Sequence, residues 1–206
     1  MPKTRLILLR HGQAEWNIEG RYQGQLDSAL TPAGQAQAEA LAARLARHRV
    51  TALYSSDLGR AQETARRAAE ASGLQVILNP RLRERHLGIF QGLLKSEIRQ
   101  KFPDEYRRFK SNSDYIIPDG ESVRQFSARV IDCLEEIAGR HGGQEIAVVT
   151  HGGPLSLLLR HTLNVPLEAP RRFERPEASW NVFRFENGKW FLETWGDSSH
   201  VASAII

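Results

Sequence analysis

A chain of 206 residues that is 41% hydrophobic can bury a real core, and it fits one domain over residues 1–206 better than two small ones. The net charge of +4 is mild, with both signs interspersed, and no Lys/Arg run interleaved with aromatics marks a nucleic-acid groove. Lys3 and Arg5 precede only four apolar residues, no stretch approaches membrane-spanning length, and the single Cys133 cannot form an internal disulfide, so the expected setting is the reducing cytoplasm, without nucleic-acid or membrane partners.

The elements alternate. Arg5–Leu9 reads as a first strand, and Thr31-Pro32 opens a helix, with Thr31 as N-cap, running to about His48. Val50–Tyr54 is a second strand, followed by a helix capped by Ser56 or Asp57 and reaching about Ser72. Leu74–Leu78 is a third strand, Glu121–Arg140 a helix, Glu145–Val149 a fourth strand and Pro154–His161 a helix. Trp180–Glu186 and Lys189–Trp195 alternate around Asn187-Gly188, a strong hairpin signal. The expected fold is therefore α/β: a three-layer α/β/α sandwich whose mostly parallel central sheet carries an antiparallel edge hairpin. That hairpin is either a covered sheet edge or a partner-binding one, which leaves a homodimer open. Residues 86–117 are less regular, with short helices expected around Gly92–Lys101 and Asp104–Lys110. They read either as a helical excursion whose aromatics pack on the sheet or as a lid over a pocket.

Each parallel strand ends in residues able to handle phosphate. Leu6–Leu9 empties into Arg10-His11-Gly12, and Ile146–Val149 empties into Thr150-His151-Gly152-Gly153. In an open α/β sheet such positions face the ligand crevice, so two neighbouring strands would bring His11, His151 and Arg10 together. The second strand leads to Ser55-Ser56-Asp57-Leu58-Gly59-Arg60, with Arg60 on the first turn of its helix, and the third leads to Arg83-Glu84-Arg85. Gly152 opens a helix, where free N–H groups and the dipole favour an anion.

The ordered set of Leu9–Gly12, Asn17, the Gly20–Gly24 loop, Ser55–Leu58 with Arg60 and Thr64-Ala65, Glu84, Gly120-Glu121-Ser122 and Thr150–Gly152 resembles the histidine phosphatase superfamily, the phosphoglycerate-mutase-like group. The resemblance implies that His11 is the nucleophile, that Arg10, Arg60 and His151 hold the phosphoryl oxygens, that Asn17 and Gln23 line the pocket and that Glu84 donates a proton. The acidic residues show no ligand-like cluster and the His-Gly pairs no common zinc spacing, so neither metal nor cofactor is expected, and the resemblance implies a small phosphate monoester as partner. Position 14, often a small hydroxyl residue in this family, is Ala14 here. The segment between Glu84 and Gly120 is shorter than the insertion of glycolytic mutases, and a smaller cover favours transfer to water.

The residues suit that chemistry. A neutral imidazole can attack phosphorus in line, splitting hydrolysis into two steps. Guanidinium forks match equatorial phosphoryl oxygens, and a carboxyl can protonate the leaving oxygen. The expected activity is thus metal-independent hydrolysis of phosphate monoesters. The alternatives are a phosphoglycerate mutase, a narrow metabolic phosphatase acting on α-ribazole phosphate or phosphoserine, and a non-catalytic phosphate-binding module. Simpler roles also exist for single residues: Glu84 could salt-bridge Arg81, Arg83 or Arg85, Gln23 could serve only a turn, and Asn17 could cap one. His48, His86, His141, His161 and His200 carry no motif, although the Gly196–His200 tail resembles a family ending.

Overall fold

In the computed structural model, which describes residues 2–202, six strands form one sheet. The strands are β1 (Thr4–Arg10), β2 (Leu53–Ser55), β3 (Val76–Leu78), β4 (Glu145–Thr150), β5 (Trp180–Glu186) and β6 (Lys189–Asp197), in spatial order β3-β2-β4-β1-β5-β6. β3, β2, β4 and β1 run parallel, while β5 pairs antiparallel with both β1 and β6. β1 and β4 lie at the centre, covered on both faces, which is why both read as unbroken apolar runs rather than alternating ones. Leu6–Leu9 and Ile146–Val149 are all fully buried.

Helices cover both faces. Leu6, Leu8, Ile146 and Val148 pack against α6 (Val123–Arg140) and α7 (Gly152–Thr162). Ile7, Leu9, Ala147 and Val149 face the opposite way, onto α2 (Pro32–Leu45) and α3 (Gly59–Ser72). The period of two along each strand thus splits the core into two apolar layers, as a three-layer α/β/α architecture requires. At the β5–β6 turn, Asn187 and Gly188 both take positive φ, 50° and 72°, the backbone that a two-residue hairpin demands.

Several boundaries differ from the sequence reading for local reasons. A one-turn helix α1 (Glu15–Glu19), to which the sequence reading assigned no element, precedes the Gly20–Gly24 loop. The helix after β2 begins at Gly59 with Leu58 in the cap position, not Ser56 or Asp57. Those two side chains are engaged elsewhere, Ser56 with His151 and Asp57 with Arg83. The next long helix starts at Val123 on a Ser122 cap that accepts from Gln125 N, because Glu121 is turned away to Arg129.

Within 86–117, α4 (Lys95–Lys101) and α5 (Pro103–Ser111) form around a small core of Phe90, Ile98, Tyr106 and Ile117 that also takes in Tyr22, Phe102 and Phe109. Its aromatics pack on one another rather than on the sheet, correcting one of the two readings of this segment. Hydrogen bonds Gly92 N to Tyr22 O, Tyr22 N to Leu93 O and Gln25 N to the Gln91 side chain fasten it to the loop that follows α1.

The His11 loop is wedged against the start of α2. Thr31 caps that helix by accepting from Gly34 N at 2.9 Å, and Thr31 N donates to Gln13 O. A Cβ on Gly34 would sit 1.9 Å from Gln13 O, and one on Gly12 would sit 2.3 Å from Gly34 O. Both obstacles are backbone and cannot rotate away. Gly34→Ala is therefore expected to lower the unfolding free energy by about 1–3 kcal/mol, the usual range for overpacking, read from urea denaturation. An unchanged midpoint would contradict this packing.

Candidate active site

The parallel register of β1 and β4 aligns Arg10 with Thr150, so the residues that follow emerge side by side. His11 N donates to Thr150 O at 3.0 Å, and the two imidazoles meet edge to face with centroids 5.1 Å apart. The expectation that the two His-Gly endings share one rim is met. Their environments differ. His11 Nδ1 lies 2.7 Å from Gly12 O, a carbonyl that can only accept, so Nδ1 carries the proton and Nε2 keeps its lone pair. His151 Nε2 lies 2.8 Å from Ser56 Oγ, while its Nδ1 is buried without a partner. Burial, with Arg60 and Arg10 nearby, pushes His11 well below the ordinary imidazole range, and burial with Arg60 and His11 does the same to His151.

The guanidinium groups are held by backbone carbonyls. Arg60, 3% exposed, donates to Leu26 O, to Gly24 O and to the Asp27 carboxylate at 2.8 Å. Arg10 pairs with Glu177 at 2.9 Å and donates to Arg175 O. Nε of each arginine is left without a partner. Arg10, His11, Asn17, Gln23, Arg60, Glu84 and Gly152 all line one cavity of about 190 Å³. Asn17 also serves the local turn: its Oδ1 accepts from Ala14 N. Gln23 is buried with its Oε1 unpartnered.

Glu84 forms no ion pair among the described residues, although three arginines flank it in sequence. Arg81 goes to Glu136 and Arg83 to Asp57. The Glu84 carboxylate instead accepts from two backbone amides, Arg85 N and Gly153 N, each at 2.8 Å. Arg129 reaches over from α6 to the carbonyls of Arg81, Arg83 and Glu84, fixing the loop that bears it.

Sequence reasoning missed Arg175 and gave Ser56, Gly153 and Arg85 no individual roles at the site. Ser56 orients His151. Gly153 leaves room for Glu84: a Cβ there would lie 1.9 Å from Glu84 Oε1. Arg175 lines the same cavity, with Nη1 on Gly152 O at 2.9 Å and Nε unpartnered, and Arg85 lies just beyond. No periodicity could have flagged Arg175, which sits in an irregular segment. His200 lies outside the cavity; its Nε2 donates to Ala178 O, and Ala178 N donates to His11 O.

The family model of the histidine phosphatase superfamily (branch 1) matches residues 6–198. The chain belongs to that superfamily. Its relatives include a metal-independent phosphoserine phosphatase of Arabidopsis thaliana, 42% identical over 97% of this chain and 84% of that one. A probable phosphoglycerate mutase GpmB of Enterobacter sp. is 36% identical over 98% and 96%. Among solved structures, Bacillus stearothermophilus YhfR superposes with a TM-score of 0.89 at 33% identity, covering 96% of this chain and 99% of its own. A mycobacterial glucosyl-3-phosphoglycerate phosphatase does so with a TM-score of 0.83 at 32% identity, covering 94% and 99%.

Two outcomes follow for this histidine phosphatase. The unfolded chain protonates His11 and His151 below about 6.5, whereas the folded site keeps both neutral well below that value. The unfolded state therefore binds more protons there, and stability falls as pH drops from about 7 toward 5, by up to about 1.4 kcal/mol per pH unit for each imidazole. Two His ring resonances that stay flat across this window, beside a declining urea midpoint, are the expected result. Gly153→Ala is expected to displace the Glu84 carboxyl and lower phosphatase activity while the far-ultraviolet circular dichroism is unchanged.

Proposed function

We propose that this protein is a metal-independent phosphomonoesterase acting through a phosphohistidine on His11. The observation that carries the reading is the His11 tautomer: Nδ1–H is committed to Gly12 O, which leaves Nε2 unprotonated beside unpartnered nitrogens of Arg10, Arg60 and His151.

A phosphoryl group in the 190 Å³ cavity would meet the two guanidinium groups that the fold has already charged and oriented. Nε2 of His11 attacks phosphorus as the bond to the leaving oxygen breaks, and Glu84 gives that oxygen its proton. Water then attacks the phosphohistidine, its proton passes to the ionised Glu84, and inorganic phosphate and neutral His11 are regenerated. Buried and neutral in the free protein, His151 donates to a phosphoryl oxygen through Nδ1 when Ser56 donates to its Nε2. Asn17, Gln23 and the Gly152 end of α7 complete the lining. Glu84 stands where this cavity meets a second one of about 320 Å³, which gives the alcohol a way out and water a way in. That favours hydrolysis over retention of the alcohol, as a mutase requires. The phosphatases among the relatives support this direction.

His11→Asn is expected to lose at least about a thousandfold in kcat/KM on an aryl phosphate, with the acid-labile phosphoenzyme no longer trapped. Glu84→Gln should cost roughly 10²–10⁴-fold on an alkyl ester and much less on a nitrophenyl ester, whose oxygen leaves without a proton. Excess chelator should change neither rate. Full activity in His11→Asn, or its loss in chelator, would sink the mechanism. Transfer between glycerate positions dependent on a bisphosphate primer would favour a mutase instead.

A further inference from the structure

The second cavity has a chemistry of its own. It shares Glu84, Leu87 and Arg175 with the phosphate pocket and is walled by Tyr22, Phe109, Phe126, Leu157 and Leu167. Past Phe109 and Leu167 it continues into an outer groove of about 430 Å³, whose lining includes Lys110 and Arg171. The second cavity is therefore larger than the phosphate pocket and mainly apolar, while the outer groove is mixed.

Arg85, in this wall, forms no ion pair among the described residues. Arg85 is only 7% exposed. Its Nε donates to Glu121 O at 3.0 Å, but its Nη2 is buried without a hydrogen bond. Its guanidinium carbon lies 5.0 Å from the Phe109 ring centroid. The nearby carboxylates are engaged by other groups: Glu121 by Arg129 and by His86 N, and Glu84 by two backbone amides. Arg175, on the border of the two cavities, also lacks a carboxylate partner among the described residues. Burial lowers Arg85 to about 10, so it stays charged at neutral pH. A buried cation with an unfilled donor is costly, and in a native structure it calls for an explanation. The phosphoryl group is already served by Arg10 and Arg60, so it does not explain Arg85.

We propose that this cavity is the subsite for the leaving alcohol, and that the alcohol joins a carboxylate, met by Arg85, to an aromatic or branched apolar body lying against Phe109, Phe126, Leu157 and Leu167. The inference rests on the phosphatase reading above and narrows it to phosphate esters of apolar hydroxy acids. A three-carbon hydroxy acid or amino acid would leave most of the apolar wall uncovered.

Three matched esters test it with the full chain: O-phospho-phenyllactate, its primary amide, and O-phospholactate, compared by kcat/KM. All three release a secondary alkoxide, so the ratios isolate the carboxylate and the ring. The phenyllactate ester is expected to exceed both others by at least about tenfold, the scale of one charge-assisted hydrogen bond or one buried ring. Arg85→Gln should abolish the acid-over-amide ratio and Arg85→Lys should keep part of it. Should Arg85→Gln not fold, the wild-type ratios and the lysine variant still decide. An amide as good as the acid, or a lactate ester as good as the phenyllactate ester, would overturn the proposal while leaving a phosphatase. Turnover of none of the three, nor of an aryl phosphate, would overturn the phosphatase reading and this one with it.

Discussion

The parallel pairing of β1 with β4 is the constraint on which the site depends. Ladder hydrogen bonds fix the register so that Arg10 lies opposite Thr150, and His11 N continues the ladder one step further by donating to Thr150 O. A one-residue slip would turn Leu6 and Leu8 to the wrong helical layer, so the apolar core on both faces enforces the register. Two imidazoles end up in contact at the carboxyl edge of the sheet, buried and beside two guanidinium groups. That environment is hostile to a positive charge, which is why burial and the arginines together keep both rings neutral. The unprotonated Nε2 of His11 thus follows from strand pairing and from the Gly12 carbonyl that takes up Nδ1–H.

Around that pair, side chains are held mainly by backbone groups drawn from separate loops. Arg60 is fixed by the carbonyls of Gly24 and Leu26, Glu84 by the amides of Arg85 and Gly153, and Arg175 by the carbonyl of Gly152. Other polar atoms of residues around the site stay unsatisfied. Arg10 Nε, Gln23 Oε1, Arg60 Nε, His151 Nδ1, Arg85 Nη2 and Arg175 Nε are all buried without partners, and all but His151 belong to residues lining the two adjoining cavities. A packed core rarely tolerates so many, and their clustering at one rim is the physical signature of a preorganised polar site.

The 86–117 segment is built as a wall. Its aromatic cluster packs internally and on Tyr22, and main-chain bonds between Tyr22 and residues 92 and 93 tie it to the loop bearing Gln23 and Gly24. Because Gly24 O in turn holds Arg60, the insertion and this cavity-lining arginine are mechanically continuous. Phe109 and Arg85 then give the larger adjoining cavity an apolar and a cationic surface.

Much of this was legible in the amino-acid sequence. The unbroken apolar runs of β1 and β4 announce central strands, Thr31-Pro32 announces a helix start, and Asn187-Gly188 announces a hairpin, because each depends on local backbone physics. His11, His151, Arg10, Arg60 and Glu84 could be singled out because they follow strands at fixed short distances. Three things could not be read locally. The boundaries near Ser56 and Glu121 moved because those side chains bond to partners 95 and 8 residues away instead of capping their own helices. Arg175 and Gly153 acquire their roles only from what the chain brings against them, the Gly152 carbonyl and the Glu84 carboxylate. Whether Glu84 would pair with Arg81 or Arg83 or turn to backbone amides depended on Glu136 and Asp57 claiming those arginines. Sequence by itself determined the strand endings and their residue types, since these rest on short-range propensity and periodicity. Tertiary structure alone decided which charges remain unpaired, because pairing is a competition among groups far apart in the chain.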